Sequence, residues 1–246
     1  MAWNFGVLVV FPENPVAMKK LFPDNFLFLY LAIVAGDLLG DVCGSFILNL
    51  VFKPLIVSSL LVYLITRKRP GRRGFPYAMA GLFFSWTGDC LLIFQSRNVL
   101  FFILGLLAFL VAHIFYIVYY IRSAELKREH KFRAQPVFIL LFLCYGLGFG
   151  WLLNSHLGAL KIPVFAYAGV LIFMNIFALG RYGKVDRTGF QLVMAGALLF
   201  AVSDGLLAIN KFVTLLPMAG VAIMSTYAAA QYLIAKSIFT PDISND

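Results

Sequence analysis

The chain has 246 residues, 62% of them hydrophobic and 13% charged, with a mean hydropathy of +0.90, a balance that excludes a soluble globular domain and points to a polytopic membrane protein. A formal charge of +9 does not indicate nucleic acid as a partner, because the basic residues sit in short clusters between apolar runs, as they do in loops at a membrane surface. Cys43, Cys90 and Cys144 lie within or beside apolar runs without metal or disulfide spacing and read as small apolar fillers.

Residues 1–25 hold a short apolar stretch, Phe5 to Phe11, broken by Pro12, Pro15 and Pro23 and too short to span, so an N-terminal interfacial segment is expected. It has no positive n-region before the apolar run and no small-residue cleavage site, so a removable signal peptide is not expected. The spacing then predicts an all-α bundle of eight transmembrane helices over 26–236, near 26–46, 47–66, 75–95, 99–121, 136–155, 162–181, 190–210 and 213–236, followed by a C-terminal tail over 237–246. Charge supports the even count. Loops 67–73, 122–133 and 181–187 carry clustered Lys and Arg, including Arg72, Lys127 and Arg181, whereas the opposite loops hold only Arg97, Lys161 and Lys211. The positive-inside rule therefore places both termini in the cytosol, in a bacterial inner membrane or the endoplasmic reticulum membrane.

Two aspartates lie inside apolar spans, Asp89 within GLFFSWTGDCLLIF and Asp204 within GALLFAVSDGLLAINKF. A carboxylate near the middle of a membrane helix costs roughly 2.5–3.5 kcal/mol on insertion scales, so it persists where it faces a bundle interior and has work to do. An offset of 115 residues aligns the two aspartates and also Gly81 with Gly196 and Gly105 with Gly220, either by chance in a Gly- and Leu-rich chain or as a parallel repeat of four plus four spans. On the expected boundaries both aspartates sit six residues before the outer ends of their spans, about 9 Å deep at 1.5 Å per residue.

Of the remaining intramembrane polar groups, Lys53 sits at a similar depth. Lys53, followed by Pro54, either pairs with an aspartate to hold helices together or meets a lipid phosphate or site carboxylate. Asp37 and Asp41 share a helix face beside Gly36, Gly40 and Gly44, a small-residue ridge read as packing. His113 and Tyr116 lie on one face of the fourth span, and Tyr227 and Gln231 on one face of the eighth, where they either bond one another as core glue or orient the carboxylates. His130 and His156 fall in loops and complete no zinc triad with His113, so no metal and no cofactor are expected. No G-x-S-x-G elbow, H-E-x-x-H motif or phosphate-binding glycine loop is present. Two carboxyl groups facing each other are the best chemical equipment available, because like charges in low dielectric share a proton and can serve as acid and base together.

The KPL string at Lys53 to Leu55, the S-x-x-G-D of Ser85 to Asp89, the H-x-x-Y of His113 and Tyr116, SDGLLAINKF at Ser203 to Phe212 and STYAAAQ at Ser225 to Gln231 resemble the YhhN family, from about Lys53 to the end of the eighth span. Gly205 and Ala228 depart from the residues usual in animal members. The resemblance implies a lysoplasmalogenase, which hydrolyses the vinyl ether of a lysoplasmalogen to a fatty aldehyde and glycerophosphocholine or glycerophosphoethanolamine. It implies Asp89 and Asp204 as catalytic residues, with Lys53, Ser85, His113, Tyr116, Asn210, Tyr227 and Gln231 binding substrate or supporting the site. The implied partners are a lysophospholipid substrate and membrane lipids. The rival from another class is a proton-coupled carrier, since paired intramembrane acids, a lysine and a two-fold repeat describe a transporter equally well.

Overall fold

A computed structural model describes residues 26–67, 74–124 and 136–239, with no account of the side chains of 136–138. The expected interfacial segment, most of the C-terminal tail and nearly all of the first two basic loops lie outside the described residues. The described chain is helical: α1 (Phe26–Cys43), α2 (Phe46–Thr66), α3 (Phe75–Leu92), α4 (Val99–Ala124), α5 (Pro136–Asn154), a single 3₁₀ turn (Gly158–Leu160), α6 (Lys161–Leu179), α7 (Arg187–Ala208), a π-helical turn (Ile209–Val213) and α8 (Ala219–Ser237). These eight helices correspond one for one to the eight expected spans.

Local chemistry explains the boundaries. The α1–α2 turn closes with Ser45 N–H donating to Gly40 O at 2.8 Å and Gly44 N–H to Asp41 O at 3.4 Å, a Schellman-type end in which Gly44 takes φ +62°. Ser45 then caps α2 by accepting from Leu48 N–H. Asp186 caps α7 by accepting from the N–H groups of Thr188 and Gly189. The helix α3 stops at Leu92, short of the expected residue 95, because Phe94, Gln95 and Arg97 turn back onto nearby carbonyls.

The helices α1, α2, α4, α6 and α7 are long and apolar enough to cross a membrane, and Ile139–Asn154 of α5 forms a shorter apolar helix. The helices α3 and α8 are less apolar because they turn polar residues inward, with Ser85, Asp89, Tyr227 and Gln231 all buried. Lipid supplies little drive for helices to associate, so close approach at small residues matters. A Cβ at Gly81 would lie 2.5 Å from Tyr116 Cε1 and one at Gly88 2.6 Å from the Phe109 ring, so α4 can meet α3 only where the side chain is missing. Gly36 seats the Phe52 ring, and Gly40 seats Asn49, as the ridge reading expects; Gly44 packs against nothing and serves the turn instead.

The core sits among α1–α4, α7 and α8, around Ile56, Leu60, Tyr116, Phe200, Ala230 and Ile234, with α6 packed on α4 and α7. The helix α5 is peripheral and packs on α6 and the π turn. Arg181, expected as a loop cation, is instead buried: it lies over Tyr119 and Tyr120, donates to Tyr120 O and bonds Ser123 Oγ. The end of α6 lies against the end of α4, so the guanidinium satisfies backbone there and ties two helices together.

Candidate active site

Up-and-down connection brings the C-terminal ends of α1, α3 and α7 and the N-terminal ends of α2 and α8 to one end of the bundle. There they enclose a cavity of about 320 Å³ walled by Asp41, Asn49, Lys53, Asp89, Asp204, Asn210 and Tyr227, with Phe46, Phe109 and Met224 as apolar lining. Asp89 and Asp204, far apart in sequence, therefore share one chamber. Asp89 is 3% exposed and accepts a hydrogen bond from Tyr227 Oη at 2.7 Å. The Asp204 side chain is 12% exposed and accepts from Tyr167 Oη at 2.6 Å, with His113 Nε2 at 3.8 Å. Among the described residues no other side-chain hydrogen bond reaches either carboxylate.

Lys53 stands on the cavity wall within electrostatic reach of Asp37 and Asp89. Among the described residues it makes no ion pair within 4 Å, so it is not a closed structural bridge. Asp41 lines the cavity and accepts from Asn49 Nδ2 at 2.9 Å. Asp37 is fully buried behind it, with both carboxylate oxygens lacking a hydrogen-bond partner.

The supporting residues divide. Tyr116 Oη donates to Gln231 Oε1 at 2.6 Å, joining α4 to α8 beneath the cavity, while Tyr227 goes to Asp89 instead. His113 is fully buried edge-on to Phe200 and Tyr167, with ring centroids 4.7 and 5.2 Å away, and makes no hydrogen bond. Ser85 is buried on α3 behind the wall, its hydroxyl without a hydrogen-bond partner. Asn210, in the π turn, lines the cavity and accepts from Leu216 N–H at 2.9 Å, fixing the α7–α8 connection over the chamber. A π-helical turn at such a place is a common mark of a functional site. Among the described residues no group of three or more His, Cys, Asp or Glu side chains could hold a metal ion.

Asp204 also opens onto a second space. An apolar cleft of about 60 Å³ between α4, α5, α6 and α7 is walled by Leu106, Tyr145, Phe149, Tyr167, Leu171 and Phe212, and Asp204 and Leu207 line both it and the polar chamber. Gly205 faces this cleft, where a Cβ would lie 3.0 Å from Tyr145 Oη. One carboxylate thus stands where a charged chamber meets a greasy one. Tyr167, Tyr145 and Asn49 were not singled out by sequence; the signal available was a tyrosine in an apolar run, whose hydroxyl needs a partner when buried.

This sequence matches the YhhN family profile over residues 48–238. Lysoplasmalogenase TMEM86A of Bos taurus is 36% identical over 160 residues, covering 64% of this chain and 62% of its own length. Lysoplasmalogenase TMEM86B of Sus scrofa is 34% identical over 188 residues, 76% of this chain and 73% of its own. The lysoplasmalogenase of Mycobacterium bovis is 29% identical over 219 residues, 86% and 78% respectively. The chain thus spans less than two thirds of the TMEM86A relative's length. No solved structure matches it. With the profile covering most of the sequence and all the helices that build the chamber except α1, the chain belongs to the YhhN family.

Proposed function

We propose that this protein is a lysoplasmalogenase, hydrolysing the vinyl ether of a single-chain alkenyl glycerophospholipid by aspartate acid–base catalysis. The observation that carries the reading is the place of Asp204, at the junction of a chamber holding Asp89 and Lys53 and an apolar cleft. A lysoplasmalogen has the same order: charged headgroup, glycerol, vinyl ether, alkenyl chain. Lys53 meets the phosphate, the two carboxyl groups flank the vinyl ether, and the cleft takes the first carbons of the chain.

The chemistry needs only proton transfer. The protonated member of the pair delivers its proton to the second carbon of the alkenyl chain, leaving an oxocarbenium ion at the first carbon, which the ionised partner stabilises. Water adds to the first carbon and loses a proton to a carboxylate, giving a hemiacetal. Collapse breaks the bond between that carbon and the glycerol oxygen, which leaves with a proton, and the hemiacetal hydroxyl becomes the aldehyde. One water is consumed and the carboxyl pair is restored. Tyr227 and Tyr167 hold Asp89 and Asp204 in place, each through one hydrogen bond, charge-assisted at the ionised member of the pair.

In the same reading all eight helices cross the membrane, both termini lie in the cytosol, and the chamber opens toward the opposite face. The test is to incubate purified protein in detergent with a lysoplasmalogen and measure aldehyde. Release of aldehyde together with the glycerophospho-headgroup is expected. Saturable binding without release would return the paired acids to the carrier, which needs a sealed compartment to act.

A further inference from the structure

The apolar cleft abuts a further space on the outside of the bundle. Gly146 on α5 and Ala168 and Ile172 on α6 wall both the cleft and a groove of about 400 Å³ on the outer α5–α6 face, where Leu147, Trp151 and Phe165 are exposed. The partition between the two is thin: a Cβ at Gly146 would run into Ile172 Cδ1. The wall is also loosely held, because α5 packs mainly on α6 and buries just Leu153 among its described side chains.

Resting on the proposed hydrolase reading, we propose that the α5–α6 seam is the portal through which the distal part of the substrate's alkenyl chain passes from the cleft at Asp204 into the surrounding lipid. Three features commit the seam to this occupant. The cleft, at about 60 Å³, takes the carbons nearest the vinyl ether but has no room for a long chain. The passage is lined mostly by apolar side chains, which suits a hydrocarbon and repels a headgroup. It leads from the site carboxylate at one end, across the thin α5–α6 partition, to exposed Leu, Trp and Phe side chains at the other. The substrate class follows: a lipid with one long chain that stays in the bilayer while its vinyl ether reaches the acids, so the fatty aldehyde departs through the same seam without crossing water.

Two variants, Gly150→Leu and Gly169→Leu, fill the outer groove without touching the cleft or the chamber. They are compared with wild type on alkenyl lysolipids of about 6 and about 18 carbons in detergent. The portal predicts that kcat/KM falls at least tenfold for the long chain and stays within about twofold for the short one. Equal values for both lengths, whether both kept or both lost, would overturn it. A non-hydrolysable alkyl-ether lysolipid with a diazirine at its chain end separates this proposal from the hydrolase reading. Labelling of Leu147, Trp151 or Phe165 that unlabelled lysolipid displaces and Gly169→Leu abolishes supports the portal even if no aldehyde is ever released. Displaceable labelling confined to other helices contradicts it.

Discussion

Asp89 and Asp204 are the same residue at the same end of one bundle, and each accepts a single tyrosine hydroxyl, yet they face different surroundings. Asp89 is sealed by Tyr227 and lies near Lys53, on the charged side of the chamber. Asp204 takes its tyrosine from α6, has His113 at its back and borders the apolar cleft. Two carboxyl groups in unlike environments are what acid–base division of labour requires, because unlike surroundings separate the roles of identical groups. In the proposed function the phosphate lies toward Asp89 and Lys53 and the chain toward Asp204.

The largest expected effect breaks both sides at once. Asp89→Asn and Asp204→Asn each lower kcat by about a thousandfold or more, while the protein still inserts and elutes as one species, because asparagine keeps size and hydrogen bonding but carries no transferable proton. Next come the tyrosines. Removing one hydrogen bond to a carboxylate is worth about 1.5–3 kcal/mol, so Tyr227→Phe and Tyr167→Phe should each cost roughly 10- to 100-fold in kcat. A loss at one tyrosine only would show that a single carboxylate depends on its clamp. Lys53→Met is smaller and of a different kind, raising KM about tenfold with little change in kcat if the lysine binds phosphate, since uniform binding affects only KM. An equal fall in kcat would move Lys53 to the reacting centre. Chelator should leave activity unchanged, since the proposed route uses only proton transfer; loss restored by added zinc would replace the two-carboxylate chemistry. For the orientation of the comparison, a cysteine placed at Arg72 should resist labelling from outside, and strong external labelling would invert the chamber.

Much of this was legible because charge in an apolar run stands out. Asp89, Asp204 and Lys53 announce themselves against Leu and Phe, and the eight helices follow from the length of those runs. Tyr167 was not legible. It is one of eleven tyrosines, and its role depends on which face of α6 meets α7, a matter of packing that periodicity does not encode. The apolar cleft was hidden for the same reason, since its walls come from four helices and none of its residues but Asp204 looks unusual in a membrane span. Arg181 misleads in the other direction: a basic residue in a short loop reads as surface charge, but two aromatic rings within reach of α6 bury it.

The central claim is that the two aspartates act as one unit, and turnover of Asp89→Asn, Asp204→Asn and the double variant at saturating lysoplasmalogen tests it most directly. If the carboxyl groups form a single acid–base device, the double variant is scarcely slower than the slower single one, because removing either member already disables the pair. Losses that multiply in the double variant, or near wild-type turnover in either single one, would contradict the account and return the aspartates to independent or structural roles.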